Sequence, residues 1–98
     1  MRVELRPEAQ RDVVELALFY DQQSQGLGDY FLRSFHTDAA KLSYEAGSHA
    51  LHFGLHYKSC SRFQASIYYR MRDNVVEVVA VLDSRRDPEA LRNVLTNR

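Results

Sequence analysis

The chain has 98 residues, which sets one domain, residues 1–98, around a single modest core. Its apolar content of 45%, with six Tyr and five Phe, is globular and excludes low-complexity and repeat architectures. A lone cysteine, Cys60, excludes an internal disulfide and fits a reducing compartment, and no run has the character of a signal peptide or a membrane span, so a cytoplasmic protein without a membrane partner is expected. The net charge is zero, yet residues 1–48 carry five Lys/Arg against eight Asp/Glu and residues 49–98 carry eight against five. Such an asymmetry steers the second half toward an acidic partner or nucleic acid, or is an ordinary solvated surface.

Arg2-Val3-Glu4-Leu5 alternates as a short strand does and ends at Pro7, a residue suited to the first turn of a helix. Ala9, Val13, Leu16, Ala17 and Tyr20 then form one helical stripe, which Val14, Leu18 and Phe19 are expected to widen. Gly26-Leu27-Gly28 interrupts it. A second stripe, Leu27, Phe31, Phe35, Ala39, Leu42 and Ala46, closes at Gly47-Ser48, and the short link predicts an antiparallel helical hairpin. His49 to Lys58 is a weaker strand signal, with Leu51, Phe53, Leu55 and Tyr57 alternating against His52, His56 and Lys58.

Arg62 to Met71 alternates again, with Phe63, Ala65, Ile67, Tyr69 and Met71 on one face and Arg62, Gln64, Ser66, Tyr68 and Arg70 on a wet one. Arg72-Asp73-Asn74 is turn chemistry, so a β-hairpin with Val75–Leu82 follows. That second run is apolar except for Glu77, as a strand covered on both faces is, which puts it in the middle of the sheet; Glu77 either pairs with an arginine on a neighbouring strand, the reading preferred, or projects at a sheet edge. Pro88 begins a last helix to about Asn97, with Leu91, Val94 and Leu95 inward. The order β-α-α-β-β-β-α is that of an α+β fold: an N-terminal strand and helical hairpin packed on a twisted antiparallel sheet, with a short C-terminal helix.

Phe19 to Leu32, Arg62-Phe63, Ile67-Tyr68-Tyr69-Arg70 and Val78–Leu82 followed by Arg85-Arg86-Asp87-Pro88 together resemble the RelE/ParE superfamily of small bacterial toxins, the plasmid-stabilisation proteins. The resemblance covers nearly the whole chain in order and spacing. It implies the same fold and a growth-inhibiting toxin of a type II toxin–antitoxin pair, with an antitoxin encoded in an adjacent gene as partner. A homodimer or a toxin–antitoxin heterotetramer is the implied assembly.

The superfamily divides by target. Ribosome-dependent ribonucleases of this kind need basic groups for the developing charge and a group that moves protons. Aligned through Tyr69 and Arg85, this chain has Ser66 at the basic strand position and Leu91 near the terminal aromatic one, so Arg85 alone matches. Asp83 stands where many relatives have His, Gln64 replaces a proline, and no His or Tyr follows Tyr69 in the final 29 residues. The resemblance therefore implies ParE-like action: binding to DNA gyrase and arrest of replication, without catalysis or a cofactor of its own. The alternatives are a RelE-like endoribonuclease acting on mRNA in the ribosome and a toxin-like protein that only binds its antitoxin.

Lys58, Arg62, Arg70, Arg85 and Arg86 are candidates for one basic concave patch toward an acidic antitoxin tail or a phosphate, each also readable as a solvated charge, and Arg86 as a local partner of Asp87. Tyr68 either stacks a base or lies beneath the last helix. His52 and His56 are expected to share a strand face, but too few ligands converge for a metal, and Cys60 has no neighbouring base. An apolar groove is expected where the strands meet the helical hairpin, shaped for a segment that folds on binding.

Overall fold

The computed structural model describes residues 1–98. The elements are β1 (Arg2–Leu5), α1 (Pro7–Gln23), α2 (Leu27–Ala40), α3 (Leu42–Glu45), β2 (Leu51–His52), β3 (Leu55–Ser59), β4 (Ala65–Arg72), β5 (Val75–Asp83) and α4 (Pro88–Thr96). The five strands form one sheet in the order β1-β5-β4-β3-β2. Pairing from β5 through β2 is antiparallel, as expected, but β1 runs parallel to β5, with Leu5 opposite Val78, so the sheet is mixed. The chain between them, α1 through β4, is long enough for this pairing, since parallel neighbours need a long crossover. The apolar run of β5 is an interior strand.

Two expected elements are divided. Phe53 and Gly54 adopt positive φ (55° and 80°) and fold the 49–58 stretch into the tight hairpin β2–β3. The second helical stripe breaks at Lys41, leaving α3 as a single turn. Asp73 and Asn74, both at positive φ, make the two-residue turn that joins β4 to β5.

Two cores lie on opposite faces of the sheet. Ala9, Val13, Ala17 and Tyr20 of α1 and Phe31, Phe35 and Ala39 of α2 pack on Ala65, Ile67, Tyr69, Val76, Val78 and Val81. On the far face, Leu91 and Leu95 of α4 cover Leu55, Tyr68, Val79, Ala80 and Leu82. The face of β4 expected to be wet is therefore dry at Ser66 and Tyr68, which are 5% and 3% exposed. Opposite Tyr68–Tyr69, β5 carries one unmatched residue, Val79, and this bulge moves its helix-facing positions from Val76 and Val78 to Val81. An almost unbroken apolar run follows, because each residue from Val76 to Leu82 except Glu77 meets one core or the other.

The buried face of α1 is narrower than expected. Val14, Leu18 and Phe19 are 56%, 60% and 43% exposed, and Met71 of β4 is 41% exposed. In place of those side chains, the arc contains Asp12, which is 8% exposed.

Candidate functional site

The Arg-Arg-Asp-Pro stretch lies where β4 begins and β5 ends. Ala65 and Asp83 form the last rung of that ladder, and the Ser84 amide donates to the Gln64 carbonyl at 3.0 Å. Asp83 binds Arg85 three times: it accepts the Arg85 amide at 2.8 Å, Nε at 3.1 Å and Nη2 at 2.9 Å. The guanidinium holds the Asp83 carboxyl below its usual range, and the carboxylate in turn raises Arg85. Arg85, the one cation that matches the ribonuclease pattern, is thus paired with Asp83.

The other two ribonuclease positions are also occupied structurally. Ser66 Oγ lies 2.9 Å from Ser84 Oγ, a hydroxyl pair under the link to α4. Leu91 is 6% exposed inside the second core. Tyr68 is buried in that core beside Tyr57, with ring centroids 6.1 Å apart, and burial followed by Tyr57 raises its hydroxyl pKa. It presents no face for stacking a base.

Arg62 sits at the same end of the sheet as Arg85. Its Nη1 donates to the Tyr30 hydroxyl at 3.2 Å, and Tyr30, Phe63 and Tyr20 follow as a row of ring contacts at 5.4 and 4.7 Å. Tyr20 ends that row near Asp83 and Arg85; burial first, then Asp83, raises its hydroxyl, which is enclosed without a hydrogen-bond partner. Arg86 is exposed, forms no ion pair with Asp87 or any other carboxylate, and rims a cleft between α1 and β5. Leu16, Phe19, Val81 and Leu82 provide its apolar walls and Asp12, Glu15 and Asp83 its acidic rim. This is the place where a groove was expected, and half of its lining is polar.

The five basic candidates do not form one patch. Lys58 lies on the helix-hairpin face, opposite Ile67, where its ammonium donates to Glu45 Oε1 at 2.7 Å and the Asp38 carbonyl at 2.9 Å. Arg70 stands opposite Glu77 and donates to it through Nε at 2.7 Å, with Arg6 Nη1 at 3.5 Å on the other side. Burial opposes the charge on Glu77, but Arg70 and Arg6 outweigh it and lower its pKa. From Glu77 to Asp83 is roughly 20 Å along the strand, so Arg70 and Arg85 occupy opposite ends. Only Arg62, Arg85 and Arg86 are gathered at one end, and of these Arg85 is paired.

The histidines are likewise separated. His56 faces Tyr69 on the helix side, with ring centroids 5.2 Å apart, whereas His52 contacts Tyr57 at 5.7 Å on the other. The turn at Phe53-Gly54 reverses the chain between them, so they do not share a face. Cys60 is buried, and burial pushes its thiol up to about 12, which leaves no thiolate near neutral pH.

Two buried carboxylates escaped the sequence reading. Asp12 accepts the Val81 amide at 3.0 Å and both terminal nitrogens of Arg98 at 2.7 and 3.0 Å, and Arg98 also donates to the Val79 carbonyl at 3.1 Å. Asp38, 2% exposed, accepts the amide and hydroxyl of Ser61 at 2.9 and 3.2 Å. The signal was present: each acid falls on the apolar arc of its helix, Asp12 between Ala9 and Leu16, Asp38 between Phe35 and Leu42.

Neither a family model nor a curated protein sequence matches the chain. Among solved structures, its fold is similar to that of a chain described as belonging to a "Chromosomal ParDE TA system from P. aeruginosa". The TM-score is 0.72, with 12% identity over 85% of this chain and 95% of that one. The RelE/ParE-like fold implied by the motifs is the fold this chain has.

Proposed function

We propose that this protein is the toxin of a toxin–antitoxin pair and acts ParE-like, by binding DNA gyrase rather than by cutting RNA. The ParDE likeness and the motif order support the toxin class. One observation carries the choice of a binding mode: all three ribonuclease positions have structural occupations. Ser66 is paired with Ser84, Leu91 is in the core, and Arg85 is clamped by Asp83. Metal-free cleavage needs a free cation and a proton carrier at those positions; Arg85 is exposed but held by Asp83, and no proton carrier stands there. Arg62 and Arg86, the two cations at this end without a carboxylate, are the contact candidates for the target, with Arg85 positioned between β5 and α4.

The antitoxin is the natural occupant of the cleft between α1 and β5, whose apolar walls suit a segment that folds on binding and whose unpaired Glu15 suits a basic residue on it. The deciding experiment induces the gene without its neighbour and pulse-labels DNA and protein synthesis over the following minutes. Thymidine incorporation is expected to fail first while translation continues, and purified protein is expected to inhibit gyrase supercoiling. Early loss of amino-acid incorporation would return the ribonuclease reading. Growth without loss of either, together with tight antitoxin binding, would make the chain a binding module.

A further inference from the structure

The outward side of α1 carries apolar residues that no part of the chain covers. Val14 and Leu18 are more than half exposed, and shallow clefts flank them on both sides, one walled by Pro7, Gln10 and Arg11, the other by Ala17, Asp21 and Leu32. Spacings of three, four and three place Arg11, Val14, Leu18 and Asp21 on a single stripe. The stripe has an apolar centre, a cation at its N-terminal end and an anion at its C-terminal end. Arg11 makes no ion pair, while Asp21 uses only Oδ1, which accepts the Gly26 and Gly28 amides at 3.0 and 3.2 Å.

We infer that this stripe is a self-association surface, in which α1 packs antiparallel on α1 of a second copy about a two-fold axis near position 16. In that register Val14 meets Leu18 of the second copy, Leu18 meets its Val14, and each Arg11 meets the opposite Asp21. The two clefts then receive the two apolar side chains. Charge order selects this arrangement: a parallel pairing sets Arg11 against Arg11 and Asp21 against Asp21, whereas the antiparallel one satisfies both ends. From Arg11 to Asp21 the seam is about 15 Å long, so the dimer is small and transient. The inference is independent of what the protein poisons.

Register is the property to test. In Gln10→Cys/Gln22→Cys the two thiols of one helix are about 18 Å apart, whereas position 10 of one copy lies level with position 22 of the other, diagonally across a seam whose helix axes are about 8–10 Å apart. A bismaleimide that spans about 10 Å is expected to give a covalent dimer of the double variant several-fold faster than of either single variant, whose like positions are about 18 Å apart along the seam. Sedimentation velocity on the unmodified protein, from about 1 μM to 1 mM, is expected to show the weight-average mass rising from 11.4 kDa toward twice that value. Leu18→Glu, placed on an exposed site, is expected to hold the mass at the monomer value with unchanged circular dichroism, and Val14→Glu serves as its duplicate. A mass constant at all concentrations would overturn the inference and leave the stripe to a different partner. Self-association undiminished by both Glu variants, or equal crosslinking of single and double cysteine variants, would overturn it as well.

Discussion

Asp12 joins three parts of the chain at once: α1, on which it sits, the Val81 amide in β5, and the guanidinium of Arg98 beyond α4. The carboxylate further raises the Arg98 pKa, with its hydrogen bonds the leading cause. Asp12→Ala strands both a buried amide and a mostly buried cation, and is expected to cost about 3 kcal/mol in urea unfolding. Arg98→Ala is expected to cost less, because Asp12 keeps the Val81 amide, and the double variant should fall short of the sum of the two. What the sequence discloses here is half of the pair. A carboxylate on an apolar arc announces that a partner exists; that the partner stands 86 positions later depends on how α4 crosses the sheet, which no local pattern encodes. The same limit applies to Asp83, whose neighbour Arg85 is close in sequence but whose bidentate geometry depends on the turn after β5.

Among elements, the closest approach is between the two long helices. A methyl group added at Gly28 would lie 2.5 Å from the Ala17 carbonyl oxygen, a backbone atom that cannot yield without moving the helix. Gly28→Ala is therefore expected to destabilise by about 2 kcal/mol despite its better helix propensity, read as a lower midpoint in thermal or urea melts. Gly26, at φ 90° with open space around it, has a purely conformational reason to be glycine.

The short α3 is fastened to the sheet by a second device. His49 Nδ1 lies 2.5 Å from the Tyr69 hydroxyl, which also accepts the Gly47 amide at 3.1 Å, while Glu45 stands between His49 and Lys58. Burial depresses the His49 pKa more than Glu45 supports it, and Lys58 and His56 add to the depression. The unfolded chain therefore binds this proton more readily than the folded one. The associated stability is fully present above an unfolded value of about 6.5 and is lost as pH falls through the lower native value. His49→Gln should flatten the part of the stability profile that lies just below the unfolded value of about 6.5. Glu45, Glu77 and Asp83, all lowered by Lys or Arg partners, add stability lost only below about 4.5.

Periodicity made both long helices, the β4–β5 hairpin and α4 legible, because each has many turns or rungs that repeat the same signal. It did not reveal the break at Lys41 or the turn at Phe53-Gly54. In the latter, a phenylalanine accepts positive φ because its ring is held by His52, with centroids 4.1 Å apart, and lies under the Arg92 guanidinium at 5.5 Å. Tertiary contacts supplied that conformation.

At the scale of the whole molecule, a sheet sandwiched between a helical hairpin and a single helix has two cores of unequal size. The smaller one rests on Leu91 and Leu95 against Tyr68, Val79 and Leu82. Leu95→Ala is expected to cost about 2–3 kcal/mol. Hydrogen exchange should quicken in α4 well before α2, since the larger core does not depend on α4 for its packing. The overall α+β order could be read from the chain, but the location of function could not. Basic residues that alternate in sequence as one group fall on two faces and two ends of the sheet once the strands pair, and three of them find carboxylates there. Exposure of Val14 and Leu18 was hidden for the complementary reason: an apolar residue on a helix reads as buried whether its cover lies in the same chain or in another.

The parallel pairing of β1 with β5 also has a bearing on time. Arg6 and Glu77, neighbours across that pairing, are 71 positions apart, a stretch that a ribosome takes about 4–14 s to translate. Until Val75–Val78 leave the exit tunnel, the first strand has no partner, and the helical hairpin has only part of the surface it covers. The sheet therefore closes late and all at once: β1 and the helical hairpin find their cover together, when the β4–β5 hairpin becomes available.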